Sequence, residues 1–219
     1  MATENFDIPG WMTERDVRLL GHLVTYVPEN GSILEIGCFF GRSTAALIDG
    51  KKKSASLEII DPFEDMRTWA GFTAIPTFEK SSCKGNDFVY KVAIHIAQSI
   101  SWLEAFRYCI GETRFQQVQI FKGTSENHPK VKDYDFVFID GAHSYEWVKH
   151  DIQKYISPST LIVGDDFLDT CPDVAQAINE LREYRSLIVF GDSKIWALIP
   201  RSGYWYDMFT NNNLFSVGW

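Results

Sequence analysis

With 219 residues, 45% of them hydrophobic and 23% charged, the chain suits one domain, or one domain with an insertion, around a sizeable core. A formal net charge of -8 counts against nucleic acid as a partner, because phosphate binding needs a basic surface. No apolar run is long enough for a bilayer, the start MATENFDIPG lacks an apolar targeting core, and the four cysteines show no CxxC spacing; a reduced, cytoplasmic chain without a structural zinc site is expected, with no membrane partner.

In chain order, Val17, Leu20, Val24 and Val27 recur at helical spacing, which predicts a helix over 13–27 before Pro28 and Gly31 break it. Strand signals follow at Ser32 to Ile36 and Ala55 to Ile60. Residues 64–110 read as an insertion. Its first part, to Asp87, lacks periodicity and is expected to form a lid; Phe88, Val92, Ile96, Ile100 and Leu103 then make one helical stripe, read as core packing or, more sharply, as a dimer face. Further strands are expected at Val118 to Phe121, Phe136 to Ile139, Leu161 to Val163, Leu187 to Phe190 and Ile195 to Ile199. Helices separate most of them: Tyr145, Val148, Ile152, Tyr155 and Ile156 share a face, and Thr170 to Tyr184 carries Pro172 in its first turn. Alternation of strand and helix implies a mostly parallel sheet covered on both faces. Only GDSK separates the last two strands, too little for a crossover helix, so that pair is antiparallel. The segment 203–219 is an aromatic-rich tail, expected to pack on the sheet, on the lid or on a second subunit.

A ligand of such a sheet lies beyond the carboxyl ends of the strands. Polar residues follow five of them: Glu35 to Ser43 after the first, Asp61 after the second, Gly123-Thr124-Ser125 after the third, Asp140 to His143 after the fourth, and Asp165-Asp166 after the fifth. The glycine spacing is Gly37-x-x-x-Gly41, with Cys38 and Phe39 where GxGxxG would bring the backbone close to a pyrophosphate, and no GxxxxGK[ST] is present. NAD, FAD and ATP on a P-loop are disfavoured. A carboxylate at Asp61 can accept both hydroxyls of a ribose, which suggests a nucleoside without a phosphate bridge.

The stretches ILEIGCFFGRST, IDPF, GTS, FIDGAHSYEWVKHD and LIVGDDF together resemble the class I S-adenosylmethionine-dependent methyltransferases, most of all the small-molecule O-methyltransferases typified by macrocin O-methyltransferase. The likeness runs over roughly residues 10 to 200, and the order and spacing of five motifs carry it. It implies a single methyltransferase domain over 1–219 with a Rossmann-like seven-stranded sheet, order 3-2-1-4-5-7-6, strand 7 antiparallel, helices on both faces. It also implies that the turn Gly37-Cys38-Phe39-Phe40-Gly41 holds the amino-acid end of S-adenosylmethionine, Ser43 meets its carboxylate, Glu35 lies near its amino group, Asp61 takes the ribose, Ser125 flanks the adenine, and Asp140 borders the same cofactor.

The resemblance makes the strands before Asp140 and Asp165 neighbours, about 4.8 Å apart. Three carboxylates gathered there (Asp140, Asp165, Asp166) repel unless a cation or protons intervene, and an all-oxygen set suits Mg²⁺ or another divalent ion. The alternative is that Asp165 or Asp166 caps a turn. His143 is either the base that takes the acceptor's proton, with Asp140 as its catalytic neighbour, or a positioning group; His22, His95, His128 and His150 match no motif and are expected at the surface or a helix edge. The expected activity is methyl transfer to a hydroxyl of a small molecule of sugar, polyketide or phenol type. The alternatives are a metal-independent O- or N-methyltransferase and an inactive binding protein on the same fold. A homo-oligomer through the 88–103 stripe or the tail remains open.

Overall fold

A computed structural model describes residues 5–65, 85–167, 171–182 and 185–212 of the chain. The sheet has seven strands: β1 (Ser32–Ile36), β2 (Ser56–Asp61), β3 (Val118–Lys122), β4 (Phe136–Ile139), β5 (Leu161–Gly164), β6 (Arg185–Val189) and β7 (Trp196–Pro200). Their order is β3-β2-β1-β4-β5-β7-β6. The first five run parallel, and β7 enters antiparallel between β5 and β6, in the register Ile162 to Leu198 and Gly164 to Trp196. Eight helices accompany it among the described residues: α1 (Glu14–Val24), α2 (Arg42–Gly50), α3 (Asp87–Ser99), α4 (Trp102–Ile110), α5 (Glu112–Phe115), α6 (Tyr145–Tyr155), α7 (Pro172–Leu181) and α8 (Tyr204–Asn211).

The central strands are apolar throughout because both faces are covered. Alternate residues feed two cores. Ile33, Phe136, Phe138, Leu161 and Val163 pack with α1, α2, α4 and α8; Leu34, Ile36, Val137, Ile139 and Ile162 pack with α6 and α7. Glu35 projects between Leu34 and Ile36 in β1, yet it is fully buried.

Several expectations shift. The first helix is shorter than 13–27: Thr13 caps it through a box with Asp16, and the chain leaves it at Thr25 ahead of Pro28. The stripe from Phe88 to Leu103 is not one face of one helix. The backbone breaks at Ile100 (φ -126°, ψ -76°), and Ser101 caps a new helix. Phe88 and Ile100 are 70% and 71% exposed, and α3 buries Ala93 and Ala97 instead. His128 is buried rather than superficial: its ring contacts Glu58 at 3.1 Å and the Tyr155 hydroxyl at 2.9 Å. Most of the expected lid, together with Cys83, and residues 213–219 of the tail lie outside the described residues.

Candidate active site

The polar strand ends converge at the carboxyl edge of β2, β1, β4 and β5. After β1 the chain passes through Gly37 (φ 81°), Phe39 (φ 49°) and Gly41 (φ 92°) into α2. A side chain at Gly37 would lie 2.3 Å from the Asp140 carbonyl oxygen, and one at Gly41 would lie 2.3 Å from Ile110. Both glycines are required by left-handed backbone and by the close packing of the turn against the β4 loop and α4. The glycines therefore have a structural reason in the protein itself.

Glu35 accepts the Ser43 hydroxyl at 2.5 Å and the Thr44 hydroxyl at 2.6 Å. The structure thus gives Ser43 a partner inside the protein. Burial pushes the Glu35 carboxyl up to about 8, against the two hydroxyl hydrogen bonds and with help from the charges of Asp140 and Asp61. Asp61 is engaged by backbone. Its Oδ2 accepts from the N–H groups of Cys38 (2.9 Å) and Phe39 (3.4 Å), and its Oδ1 from that of Phe63 (2.6 Å). Burial raises its pKa, and these hydrogen bonds oppose the rise. Ser125, buried beyond β3, interacts with the Asp151 carboxylate, which burial raises to about 6. The loop there is gathered by Lys154, whose Nζ donates to the carbonyls of Ser125, Glu126 and His128.

Asp140, Asp165 and Asp166 lie together, each offering an oxygen within 4.8 Å of the others. Consecutive residues of an extended strand point to opposite sides. Asp166 escapes that rule through its left-handed backbone (φ 61°), so that both aspartates reach the same point. That point is Lys194, whose Nζ is 2.6 Å from Asp165 Oδ2 and 2.8 Å from Asp166 Oδ1. His143 stands beside them, Nδ1 3.2 Å from Asp166 Oδ2 and Nε2 3.8 Å from Asp140 Oδ1. Burial works to lower the His143 pKa, but Asp140, then Asp166 and Asp165, outweigh it and raise it. Burial likewise opposes charge on Lys194, and the three carboxylates overcome it, so the ammonium is held charged. Burial first and the Asp140 charge second raise the Asp165 carboxyl, while the Lys194 ammonium restrains the rise.

Three hard oxygen donors fit a divalent ion such as Mg²⁺. The donor set also holds a buried oxygen, Asp165 Oδ1, without a hydrogen-bond partner among the described residues. A second grouping shares Asp166 and adds His143 and Cys171. Neither Lys194 nor Cys171 was anticipated. Lys194 lies in the GDSK turn between β6 and β7, and its signal is the insertion of β7 beside β5, which carries that turn to the acidic strand ends. Trp196 fixes the register, its indole N–H donating to the Asp165 carbonyl at 2.9 Å while its ring lies against Gly164.

Similar folds occur among solved structures. A candidate O-methyltransferase from Klebsiella pneumoniae superposes with a TM-score of 0.55 at 18% identity, over 86% of this chain and 81% of that one. A protein from Corynebacterium glutamicum gives 0.55 at 15% identity, over 85% and 80%. A cofactor-bound protein from MTB gives 0.51 at 15% identity, over 87% and 82%. Among curated protein sequences none matches the chain. The sheet order with its antiparallel seventh strand is that of the Rossmann-like methyltransferase fold. A family model described as a methyltransferase domain matches residues 34–167, from β1 through the acidic turn after β5, and the chain belongs to that family.

Proposed function

We propose that the protein transfers a methyl group from S-adenosylmethionine to a hydroxyl of a small molecule, in the manner of the macrocin-type O-methyltransferases that its motifs resemble, with a divalent ion at Asp140, Asp165 and Asp166. The observation that carries the reading is the gathering of Asp140, His143, Asp165 and Asp166 next to the Gly37 turn. S-adenosylmethionine suits the place because it is cationic at its ammonium and sulfonium. Glu35, Asp61 and Asp140 are acidic and buried or half-buried, and the charges of Asp140 and Asp61 raise the proton affinity of Glu35, a repulsion that a cationic ligand relieves.

S-adenosylmethionine would supply the electrophilic methyl group. A divalent ion on the aspartates would supply a Lewis acid that lowers the pKa of the acceptor hydroxyl. His143 supplies the base. Its Nδ1 faces Asp166, which orients the ring, and its Nε2, 3.8 Å from Asp140 and beyond hydrogen-bond reach of it, is the nitrogen open to the acceptor's proton. Asp140 and Asp166 then hold the imidazolium that forms. The acceptor, a sugar, polyketide or phenol, would enter beside this histidine.

Labelled methyl transfer to a panel of hydroxylated acceptors, with and without chelator, tests the reading. Transfer that stops on chelation and returns with Mg²⁺ supports it; no transfer to any acceptor, with S-adenosylhomocysteine still bound, favours a binding protein. The Lys194 ammonium within the cluster favours a second reading, metal-independent transfer, which predicts full activity in chelator.

A further inference from the structure

We propose that Lys194 is a built-in counter-cation of the Asp140–Asp165–Asp166 cluster, and that a divalent ion binds there by displacing it. The inference rests on the metal-assisted reading above. An ammonium has three donors and no acceptor, so it cannot share in a metal's coordination sphere. It lies 2.6 Å from Asp165 Oδ2 and 2.8 Å from Asp166 Oδ1, two of the three residues that could ligate an ion. A divalent ion that takes the oxygens Lys194 now holds, Asp165 Oδ2 and Asp166 Oδ1, repels the ammonium at contact distance and displaces it.

The lysine arrives on a fixed backbone. The turn that bears it is closed by Ser193 N–H to the Phe190 carbonyl (2.9 Å) and Phe190 N–H to the Ile195 carbonyl (3.2 Å). Ser193 Oγ donates to Asp16 Oδ1 at 2.6 Å and accepts from Ile195 N–H at 3.0 Å. Asp16 is buried at the start of α1, where it also closes the capping box, and the neighbouring pair Arg15–Asp192 spans the same junction. The Lys194 carbonyl accepts the Phe167 N–H at 3.0 Å, one residue beyond Asp166. Only the flexible stem of Lys194 is free to swing. The lysine also leaves the cluster incompletely satisfied, since Asp165 Oδ1 is buried without a hydrogen-bond partner among the described residues. The ammonium is therefore a placeholder for a better cation, and its removal sets the affinity for that cation.

Calorimetric titration of Mg²⁺ and Mn²⁺ into the native protein, Lys194→Met and Lys194→Arg tests this, with circular dichroism to verify folding. Lys194→Met should bind either ion more tightly by about tenfold or more, since a buried counter-charge outweighs an exposed one. Lys194→Arg, which keeps the charge, should stay near the native affinity. In chelator Lys194→Met should melt below the native protein and regain the difference when Mn²⁺ is added; where the Met variant does not fold, Lys194→Gln is titrated in its place. Equal affinity in native and variant proteins overturns the inference and leaves the metal-assisted reading standing. Binding by the variant alone supports the inference and removes metal assistance from the native enzyme. Binding by neither overturns both.

Discussion

Glu35 shows what a single residue stores at this site. Its carboxyl lies fully buried under Ser43 and Thr44 with its pKa raised to about 8 from an ordinary 4.5. The folded chain holds a proton there that the unfolded chain releases. The stability it contributes is complete below about pH 4.5 and is lost as the pH rises through about 8. Melting temperatures measured across that window should therefore fall with pH in the native protein and fall less in Glu35→Gln; parallel curves would show that Glu35 is ionised throughout. Gly37→Ala should cost roughly 3 kcal/mol or more in urea unfolding, because the new methyl group meets the Asp140 carbonyl oxygen at 2.3 Å on a left-handed backbone. His143→Ala should lower kcat by about 10²-fold with S-adenosylhomocysteine affinity nearly intact, if the imidazole takes the proton; an equal loss of both would make it a positioning residue. Asp140, Asp165 and Asp166 were legible as a group because each follows a strand. Lys194 and His128 were not. A lone lysine in a four-residue turn and a histidine in a loop carry no pattern, and each gains meaning only from what the fold sets against it, the acidic strand ends for one and Glu58 with Tyr155 for the other.

Among the elements, one side chain clips the segment before α1 at three points. Arg42, buried at the first turn of α2, donates to the carbonyls of Ile8 (2.7 Å), Met12 (2.6 Å) and Phe6 (2.8 Å). Three backbone acceptors lose their donors in Arg42→Met, which should destabilise the protein by roughly 2 kcal/mol or more and open residues 6–12 to limited proteolysis. Protection of that segment equal to the native protein's would refute the clip. The central strands and the helices that follow them were readable because β4 and β5 are apolar throughout, Ser157-Pro158 stops α6 and Pro172 opens α7. The α3–α4 pair was not, since apolar residues at Phe88, Ile96, Ile100 and Leu103 keep helical spacing across a break that only the Ile100 backbone reveals. Periodicity records what repeats, and a one-residue interruption leaves the repeat nearly in phase.

For the whole molecule, the proposed cation site at the sheet edge would tie ion binding to global stability. Mg²⁺ should raise the melting temperature in a concentration-dependent way, and Asp140→Asn or Asp165→Asn should abolish the rise; an undiminished rise in both variants would place the ion elsewhere. The same topology fixes an order of events. Because β7 lies between β5 and β6, the chain must reach Trp196–Pro200 before the sheet can close beyond β5. Asp140, His143, Asp165 and Asp166 all precede Lys194 in the chain, so the lysine is the last of these charged groups to be synthesised. The last hairpin is thus a delayed charge as well as a late strand pair, and the ammonium joins the carboxylates only once β7 is in place.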